Sequence, residues 1–137
     1  MRMRCISLIF ATILALEIIG GLALAQTPMQ GQPDWKARFR THDRNGDGRV
    51  DRAEFQEWMI EVFYFRDKDR KGYLILEDVR GVMAPETLKA INRKGDGKVT
   101  RQEFLNAVFV DFDAADVNKN GALTMEEIEV YISRSSK

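Results

Sequence analysis

One twelve-residue pattern of oxygen-bearing side chains occurs four times along this chain and constrains its fold more than any other feature. Loop 1 covers residues 43–54, loop 2 residues 67–78, loop 3 residues 92–103 and loop 4 residues 116–127, at shifts of 24 or 25 residues. Every copy has glycine at position 6 and an apolar residue at position 8, namely Gly48, Gly72, Gly97 and Gly121, and Val50, Leu74, Val99 and Leu123. Because self-similarity at a fixed period is the signature of a repeated structural unit, the sequence predicts four copies of one supersecondary motif.

Loop 1 has oxygen donors at the spacing that a calcium ion needs. Such a hard cation takes about 6 to 8 oxygen ligands, and glycine at position 6 allows the sharp turn that directs the flanking groups inward. A carboxylate at position 12 then closes the site with two oxygens. The candidate metal ligands of loop 1 are Asp43, Asn45, Asp47, Arg49, Asp51 and Glu54. Arg49, at position 7, is included for its backbone carbonyl.

Loop 4 keeps this oxygen pattern with fewer charges. Its candidate ligands are Asp116, Asn118, Asn120, Ala122 and Glu127. Only two of these side chains are carboxylates, so we expect loop 4 to bind the ion more weakly than loop 1.

Loops 2 and 3 carry lysines at positions where the pattern needs a donor. In loop 2, Lys71 takes position 5 and Ile75 takes position 9, which predicts a structural loop held by its own turn hydrogen bonds and an ion pair of Lys71. In loop 3, Lys94 takes position 3. The weaker candidate ligands are Asp67, Asp69 and Asp78 in loop 2, and Asn92, Asp96, Lys98 and Glu103 in loop 3. The sequence therefore predicts about two calcium sites, the stronger in loop 1 and the weaker in loop 4.

The connectors between the loops predict how the loops are arranged. Residues 55–66 and residues 104–115 are unbroken and carry apolar residues at helical spacing, so each is predicted to form one helix with a loop at either end. Residues 79–91 contain Gly81 and Pro85, which predict a helix break and a short hairpin. Loops 1 and 4 then become neighbours, as do loops 2 and 3.

This arrangement predicts short backbone pairing of Val50 with Leu123 and of Leu74 with Val99. The repeated loops resemble the EF-hand superfamily over nearly all of residues 35–132, and their short spacing is similar to that of lanmodulin, a periplasmic lanthanide-binding EF-hand protein. The resemblance implies an all-α fold, a compact bundle of EF-hands with four loops in which loops 1 and 4, and loops 2 and 3, are paired by short β-bridges. It implies calcium as the bound ion, with a lanthanide as the alternative. Position 2 departs from the proline of lanmodulin and holds Arg44, Lys68, Arg93 and Val117.

The apolar residues of the predicted helices indicate where the core lies. The first helix is predicted to start near Asp34 and to bury Trp35, and the last is predicted to start near Met125. The aromatic residues predicted to form the core are Phe39, Phe55, Trp58, Phe63, Phe104, Phe109, Phe112 and Tyr131.

Residues 1–25 have the pattern of an export signal. Arg2 and Arg4 precede an apolar stretch, and Ala23 and Ala25 form a small-x-small cleavage site. We expect cleavage after Ala25, a short disordered lead over residues 26–33, a domain over residues 34–137, and a periplasmic or secreted location. The alternative is an uncleaved membrane anchor, since the apolar run is nearly long enough to span a bilayer.

The composition after such cleavage disfavours several classes of function. Removing Arg2, Arg4 and Glu17 reduces the 21 basic and 21 acidic residues to 19 and 20, which gives no electrostatic reason to expect nucleic acid or an anionic membrane as a partner. The only cysteine, Cys5, lies in the signal, His42 is the only histidine, and no phosphate loop or serine elbow is present. We therefore expect no enzymatic activity.

The leading hypothesis is an exported calcium-binding protein that acts as a buffer, a sensor or a metal-stabilised adaptor. The alternatives are a lanthanide binder and a metal-stabilised protein-interaction module. The expected partners are the metal ion and an unidentified protein.

Overall fold

The computed structural model describes residues 35–81 and 83–135, so the predicted signal (1–25), lead (26–33) and Asp34 cap lie outside the described residues. Within these residues the chain forms five helices and four short strands. The helices are α1 Trp35–His42, α2 Arg52–Arg66, α3 Pro85–Ile91, α4 Arg101–Ala115 and α5 Met125–Ser135. The strands are β1 Arg49–Asp51, β2 Tyr73–Leu74, β3 Val99–Thr100 and β4 Ala122–Thr124. None of the helices in this part of the chain has the length and apolar character needed to cross a membrane.

The strands form two short antiparallel ladders, one at each end of the long helices α2 and α4. Strand β1 pairs with β4, with Val50 opposite Leu123. Strand β2 pairs with β3, with Leu74 opposite Val99. These are the two pairings predicted from the connector lengths, and both are confirmed. All four side chains are fully buried, so each ladder closes one end of the core.

Both long helices begin with the same reciprocal cap. The Asp51 carboxylate accepts hydrogen bonds from the Ala53 and Glu54 N–H groups, and the Glu54 carboxylate accepts one from the Asp51 N–H. Thr100 and Glu103 form the corresponding capping box at the start of α4. Positions 9 and 12 of these loops therefore also start a helix, which joins the end of each loop rigidly to the helix that follows.

The connector between loops 2 and 3 turns the chain back on itself. Gly81 has φ 79°, a left-handed conformation that glycine adopts at low cost. Pro85 is the first residue of α3, where the fixed φ of proline suits a helix start. The predicted break at Gly81 and restart at Pro85 are confirmed.

The core lies between α2 and α4 and extends from one ladder to the other. Near the β1–β4 ladder the rings of Phe55 and Phe112 lie 4.9 Å apart, and near the β2–β3 ladder those of Phe63 and Phe104 lie 5.7 Å apart. The largest fully buried side chains are Trp58, Phe39, Phe55, Phe63, Phe104, Phe112, Met59, Leu74, Leu123 and Ile128. One hydrophobic core therefore connects the two ends.

Two aromatic side chains expected in the core pack against it but are only partly buried, so for these the prediction is confirmed only in part. Trp35 lies at the start of α1, at the edge of the core. Phe109 packs against the core, but the guanidinium of Arg52 lies 4.8 Å from its ring centroid. Its position near the surface allows this cation–π contact.

Candidate metal-binding loops

The backbone of loop 1 is folded around the side-chain oxygens of its first residues. Asp43 accepts hydrogen bonds from Asp47 N (3.1 Å) and Gly48 N (2.9 Å) through its two carboxylate oxygens. Asn45 Oδ1 accepts from Asp47 N at 2.9 Å, and Asp47 Oδ1 accepts from Arg49 N at 2.9 Å. Gly48 has φ 80°, the conformation for which position 6 requires glycine. The candidate ligands at positions 1, 3 and 5 are therefore held on the inner side of one tight turn.

The carboxylate of Glu54 spans the mouth of loop 1. Its Oε1 accepts hydrogen bonds from Arg44 N at 3.0 Å and Asn45 N at 3.3 Å, while its Oε2 accepts from Asp51 N at 3.0 Å. The Glu54 residue is only 8 % exposed. The position-12 carboxylate thus connects the first residues of the loop to the start of α2.

The arginine side chains at the rim of loop 1 pair with carboxylates outside it. Arg44 lies 2.9 Å from Glu57 and 3.5 Å from Glu61 on α2. Arg52 lies 2.5 Å from Asp113 near the end of α4. Sequence reasoning missed these partners. The i, i+4 spacing of Glu57 and Glu61 was an available signal for Arg44, but nothing in the sequence pattern indicated the long-range contact between Arg52 and Asp113.

Loop 4 repeats most of the geometry of loop 1, but one oxygen of its position-12 carboxylate accepts from a side-chain amide and not from the backbone N–H groups of positions 2 and 3. Asp116 is 3 % exposed and accepts hydrogen bonds from Asn120 N at 3.1 Å and Gly121 N at 2.9 Å. Glu127 accepts from Thr124 N through Oε2 at 3.0 Å and from Asn118 Nδ2 through Oε1 at 3.0 Å.

The remaining donors of loop 4 follow the same pattern. Asn118 Oδ1 accepts from Asn120 N at 3.0 Å, and Asn120 Oδ1 accepts from Ala122 N at 3.0 Å. Loops 1 and 4 therefore present equivalent sets of oxygens side by side, joined by the β1–β4 ladder.

Loop 2 has an ammonium group among its carboxylates. Lys71 Nζ lies 3.2 Å from Asp78 Oδ1, 3.6 Å from Asp67 Oδ1 and 3.6 Å from Asp69 Oδ2. Asp67 also accepts hydrogen bonds from Lys71 N at 2.9 Å and Gly72 N at 2.7 Å. The expected ion pair and turn hydrogen bonds are therefore present in loop 2.

These contacts shift the pKa values of both partners. Burial acts to raise the pKa of Asp67, but the Gly72 and Lys71 N–H groups and the Lys71 ammonium outweigh it and lower that pKa. Burial acts to lower the pKa of Lys71, but Asp78, Asp69 and Asp67 together raise it. The charged forms of the amine and the carboxylate are thus mutually stabilised.

Loop 3 differs from the other three at its first position. Asn92 Oδ1 accepts a hydrogen bond from Gly95 N at 3.1 Å, at position 4. In loops 1, 2 and 4 the aspartate at position 1 instead accepts from the N–H groups of positions 5 and 6. Asp96 Oδ1 accepts from Lys98 N at 2.9 Å. Loop 3 therefore keeps its helix-capping half but has a different first turn.

Glu103 closes loop 3 as Glu54 closes loop 1. It accepts hydrogen bonds from Arg93 N at 3.2 Å and from Thr100 N at 2.9 Å. The Thr100 N–H lowers the pKa of Glu103 against the opposing effect of burial, with help from the Thr100 hydroxyl, the Arg93 N–H and the charge of Lys94.

The donor chemistry of loops 1 and 4 fits a hard cation, whereas that of loop 2 does not. In loops 1 and 4 the groups directed inward are carboxylate and amide oxygens, the ligands that calcium prefers. In loop 2 a positive charge already lies among them. Within residues 35–81 and 83–135, no group of three or more His, Cys, Asp or Glu side chains is arranged to hold a metal ion. In loop 1 the Glu54 carboxylate is instead engaged with the backbone N–H groups of Arg44 and Asn45.

His42, the only histidine, lies at the last position of α1 and packs rather than facing the loop. Its ring stacks on Trp58 with centroids 4.6 Å apart and an angle of 12° between the planes. Burial lowers the pKa of His42, and this effect exceeds the opposing effect of Glu61, whose carboxylate lies 3.9 Å from Nε2. The stack places an indole ring directly beside the start of loop 1.

Family comparisons agree with this geometry. A family model described as an EF-hand domain pair matches residues 32–109, more than half of the chain. A second model, described as an EF hand, matches residues 109–130. No curated protein is similar enough to the chain to count as a match. The chain belongs to the EF-hand family, whose domains bind calcium.

Proposed function

We propose that this protein is a non-enzymatic calcium-binding protein that takes about two ions, the first in loop 1 and the second in loop 4. The observation that carries the proposal is the contrast between the loops. In loops 1 and 4 the side chains at positions 1, 3 and 5 all offer oxygens that accept from backbone N–H groups of the loop, whereas the ammonium of Lys71 lies among the carboxylates of loop 2.

The charges of the two loops set their order of affinity. Loop 1 has four carboxylates, and the basic groups of Arg44 and Arg52 are paired with acidic side chains outside the loop. Loop 4 has only the carboxylates of Asp116 and Glu127 among its candidate ligands. We expect a dissociation constant of roughly micromolar to tens of micromolar for loop 1, and a larger one for loop 4.

The position of Glu54 explains how calcium would act on the fold. To hold an ion, the Glu54 carboxylate would have to give up the hydrogen bonds that it accepts from the N–H groups of Arg44 and Asn45. Because Glu54 is also part of the cap of α2, occupancy of loop 1 is coupled to the position of that helix. When bound, the ion neutralises carboxylates that otherwise repel one another inside the loop.

Native mass spectrometry of the purified protein in calcium tests the number of sites. We expect two ions in the wild type, one in Glu54→Gln and one in Glu127→Gln. Asp78→Asn, which changes position 12 of loop 2, serves as the matched control and is expected to keep two. Four tight sites, or none, would contradict the proposal.

We further propose that the protein acts after export, in the periplasm or as a secreted protein, as a calcium buffer, sensor or metal-stabilised adaptor. This proposal rests on the export pattern of residues 1–25, which lie outside the described residues. A hydrophobic dye distinguishes a sensor from a buffer, because only a sensor exposes apolar surface when calcium binds. Recovery of a protein partner with calcium, and its loss with a chelator, would identify an adaptor.

A lanthanide-binding function is the second candidate. The pairing of loops 1 and 4 and of loops 2 and 3 through short connectors favours it, because that spacing is similar to the spacing in lanmodulin. Competition between calcium and a trivalent lanthanide separates the two candidates. A preference for the lanthanide by many orders of magnitude would support the second, and comparable affinities would exclude it.

A further inference from the structure

The ammonium group in loop 2 lies at the place where loops 1 and 4 present only oxygens. We propose that Lys71 acts as the built-in cation of loop 2, and that its ammonium closes the β2–β3 end of the molecule at every calcium concentration. This inference extends the proposed function but does not rest on it, because it concerns the protein without metal.

Three carboxylates from different parts of loop 2 meet at this one group. Asp67 is at position 1, Asp69 at position 3 and Asp78 at position 12, and all have an oxygen within 3.6 Å of Lys71 Nζ. The corresponding positions of loop 1 hold Asp43, Asn45 and Glu54. The ammonium thus joins the first and the last residue of the loop, which is the task of the ion in a metal-filled loop.

The environment of Lys71 keeps its charge in place. Its side chain is 19 % exposed, and that of Asp67 is 0 % exposed. A divalent ion could enter this loop only after the ammonium had left it, because two cations among the same carboxylates repel each other. Loop 2 therefore excludes calcium through its own lysine, in addition to lacking a donor at position 9.

Other loops use position 5 differently. Asp47 and Asn120 there accept the N–H group of position 7, at 2.9 Å and 3.0 Å. Lysine has no acceptor for that N–H, so its occurrence at position 5 removes a turn hydrogen bond that the other loops form. The contacts of the ammonium with three carboxylates compensate for this loss.

The closed loop 2 supports loop 3 through the ladder between them. Leu74 pairs with Val99, and Tyr73 pairs with Thr100, the residue that caps α4. The ring of Tyr73 also lies 4.8 Å from Lys98 Nζ. A loop 2 that is closed without metal therefore holds β3 and the start of α4 in position, so that only the β1–β4 end changes with calcium.

Two substitutions at Lys71 test the inference, with Lys68→Met, at an exposed position of the same loop, as the matched control. Lys71→Met keeps most of the stem and removes the charge, and Lys71→Asp places a carboxylate at position 5, as in loop 1. In a chelator we expect Lys71→Met to lower the melting temperature by several degrees, and Lys68→Met to leave it within the scatter of the wild type. We expect Lys71→Asp to melt at a lower temperature still in the chelator, to recover in calcium, and to bind one ion more than the wild type by native mass spectrometry.

Unchanged melting of Lys71→Met in the chelator would overturn the inference, as would the absence of an extra ion in Lys71→Asp. If a variant fails to fold, amide hydrogen exchange of the wild type tests whether loop 2 is closed without metal. In a chelator the amides of Leu74 and Val99 are expected to stay protected, and calcium is expected to add more protection at Val50 and Leu123 than at Leu74 and Val99. Fast exchange at Leu74 and Val99 without metal would refute the closed loop. A wild type that binds no calcium at all would refute the proposed function. It would not affect the conclusion about Lys71, which is tested in a chelator.

Discussion

Replacing Glu54 by glutamine tests the role of loop 1 most sharply. With a dissociation constant of about 10 µM, 1 mM free calcium stabilises the fold by about 2.7 kcal/mol through loop 1. For a domain of about 100 residues this raises the melting temperature by about 11 to 22 °C. Glu54→Gln removes one of four carboxylates and an oxygen ligand, and a site weakened by about 100-fold contributes only about 0.4 kcal/mol, or about 2 to 3 °C.

The substitution also has a cost without metal, which must be separated from the loss of binding. The glutamine side chain has a single acceptor oxygen, so it cannot accept from both Arg44 N and Asp51 N as the carboxylate does. Losing a hydrogen bond to a charged group costs about 1.5 to 3 kcal/mol. The informative quantity is therefore the difference between the melting temperature in calcium and in a chelator, measured by circular dichroism for each variant.

Glu103→Gln is the matched control, because Glu103 occupies position 12 of loop 3 with the same exposure and equivalent contacts to backbone N–H groups. We expect both variants to melt at lower temperature in the chelator. Only Glu54→Gln should lose most of the calcium-dependent rise. An equal rise in Glu54→Gln and the wild type, or an equal loss in both variants, would refute the assignment of the strongest site to loop 1.

Three further predictions concern the scaffold of the sites. Leu123→Ala is expected to cost about 2 to 5 kcal/mol of unfolding free energy in urea, because its side chain is fully buried, whereas Val130→Ala at an exposed position is expected to cost far less. Tyr131→Phe removes the hydroxyl that donates to buried Asp111 at 2.8 Å and is expected to cost about 1.5 to 3 kcal/mol in the same assay. The lowered pKa of His42 contributes stability that is present above about pH 6.5 and is lost as the pH falls through the folded-state value. The urea midpoint in a chelator should therefore fall between about pH 7.5 and pH 5.5, and His42→Phe should remove that fall.

Sequence reasoning succeeded where local rules decide the structure. The glycine at position 6 and the helix start at Pro85 are each determined by a few neighbouring residues. The pairing of Val50 with Leu123 followed from connector length, which limits where each loop can lie. These features therefore could be predicted without knowing the packing of the helices.

The contacts between distant elements could not be predicted in the same way. Arg52 pairs with Asp113 across α2 and α4, and His42 stacks on Trp58 across α1 and α2. Such contacts depend on the rotation of one helix against another, for which no spacing in the sequence gives a signal. Lys71 is an intermediate case, since its substitution for a donor was evident and its contact with three separate carboxylates was not.

The two ends of the molecule are different in charge but share one core. Each long helix has 15 residues and spans about 22 Å, so α2 connects loop 1 to loop 2, and α4 connects loop 3 to loop 4. The ring pairs at the two ends belong to the same buried cluster, so neither end can unfold without exposing apolar surface of the other. Calcium bound at the β1–β4 end therefore raises the unfolding free energy of the whole domain, including the end that Lys71 closes. We expect one cooperative unfolding transition both in a chelator and in calcium, with a higher midpoint in calcium. Two separate transitions in a chelator would show that the ends are independent and that the common core does not couple them.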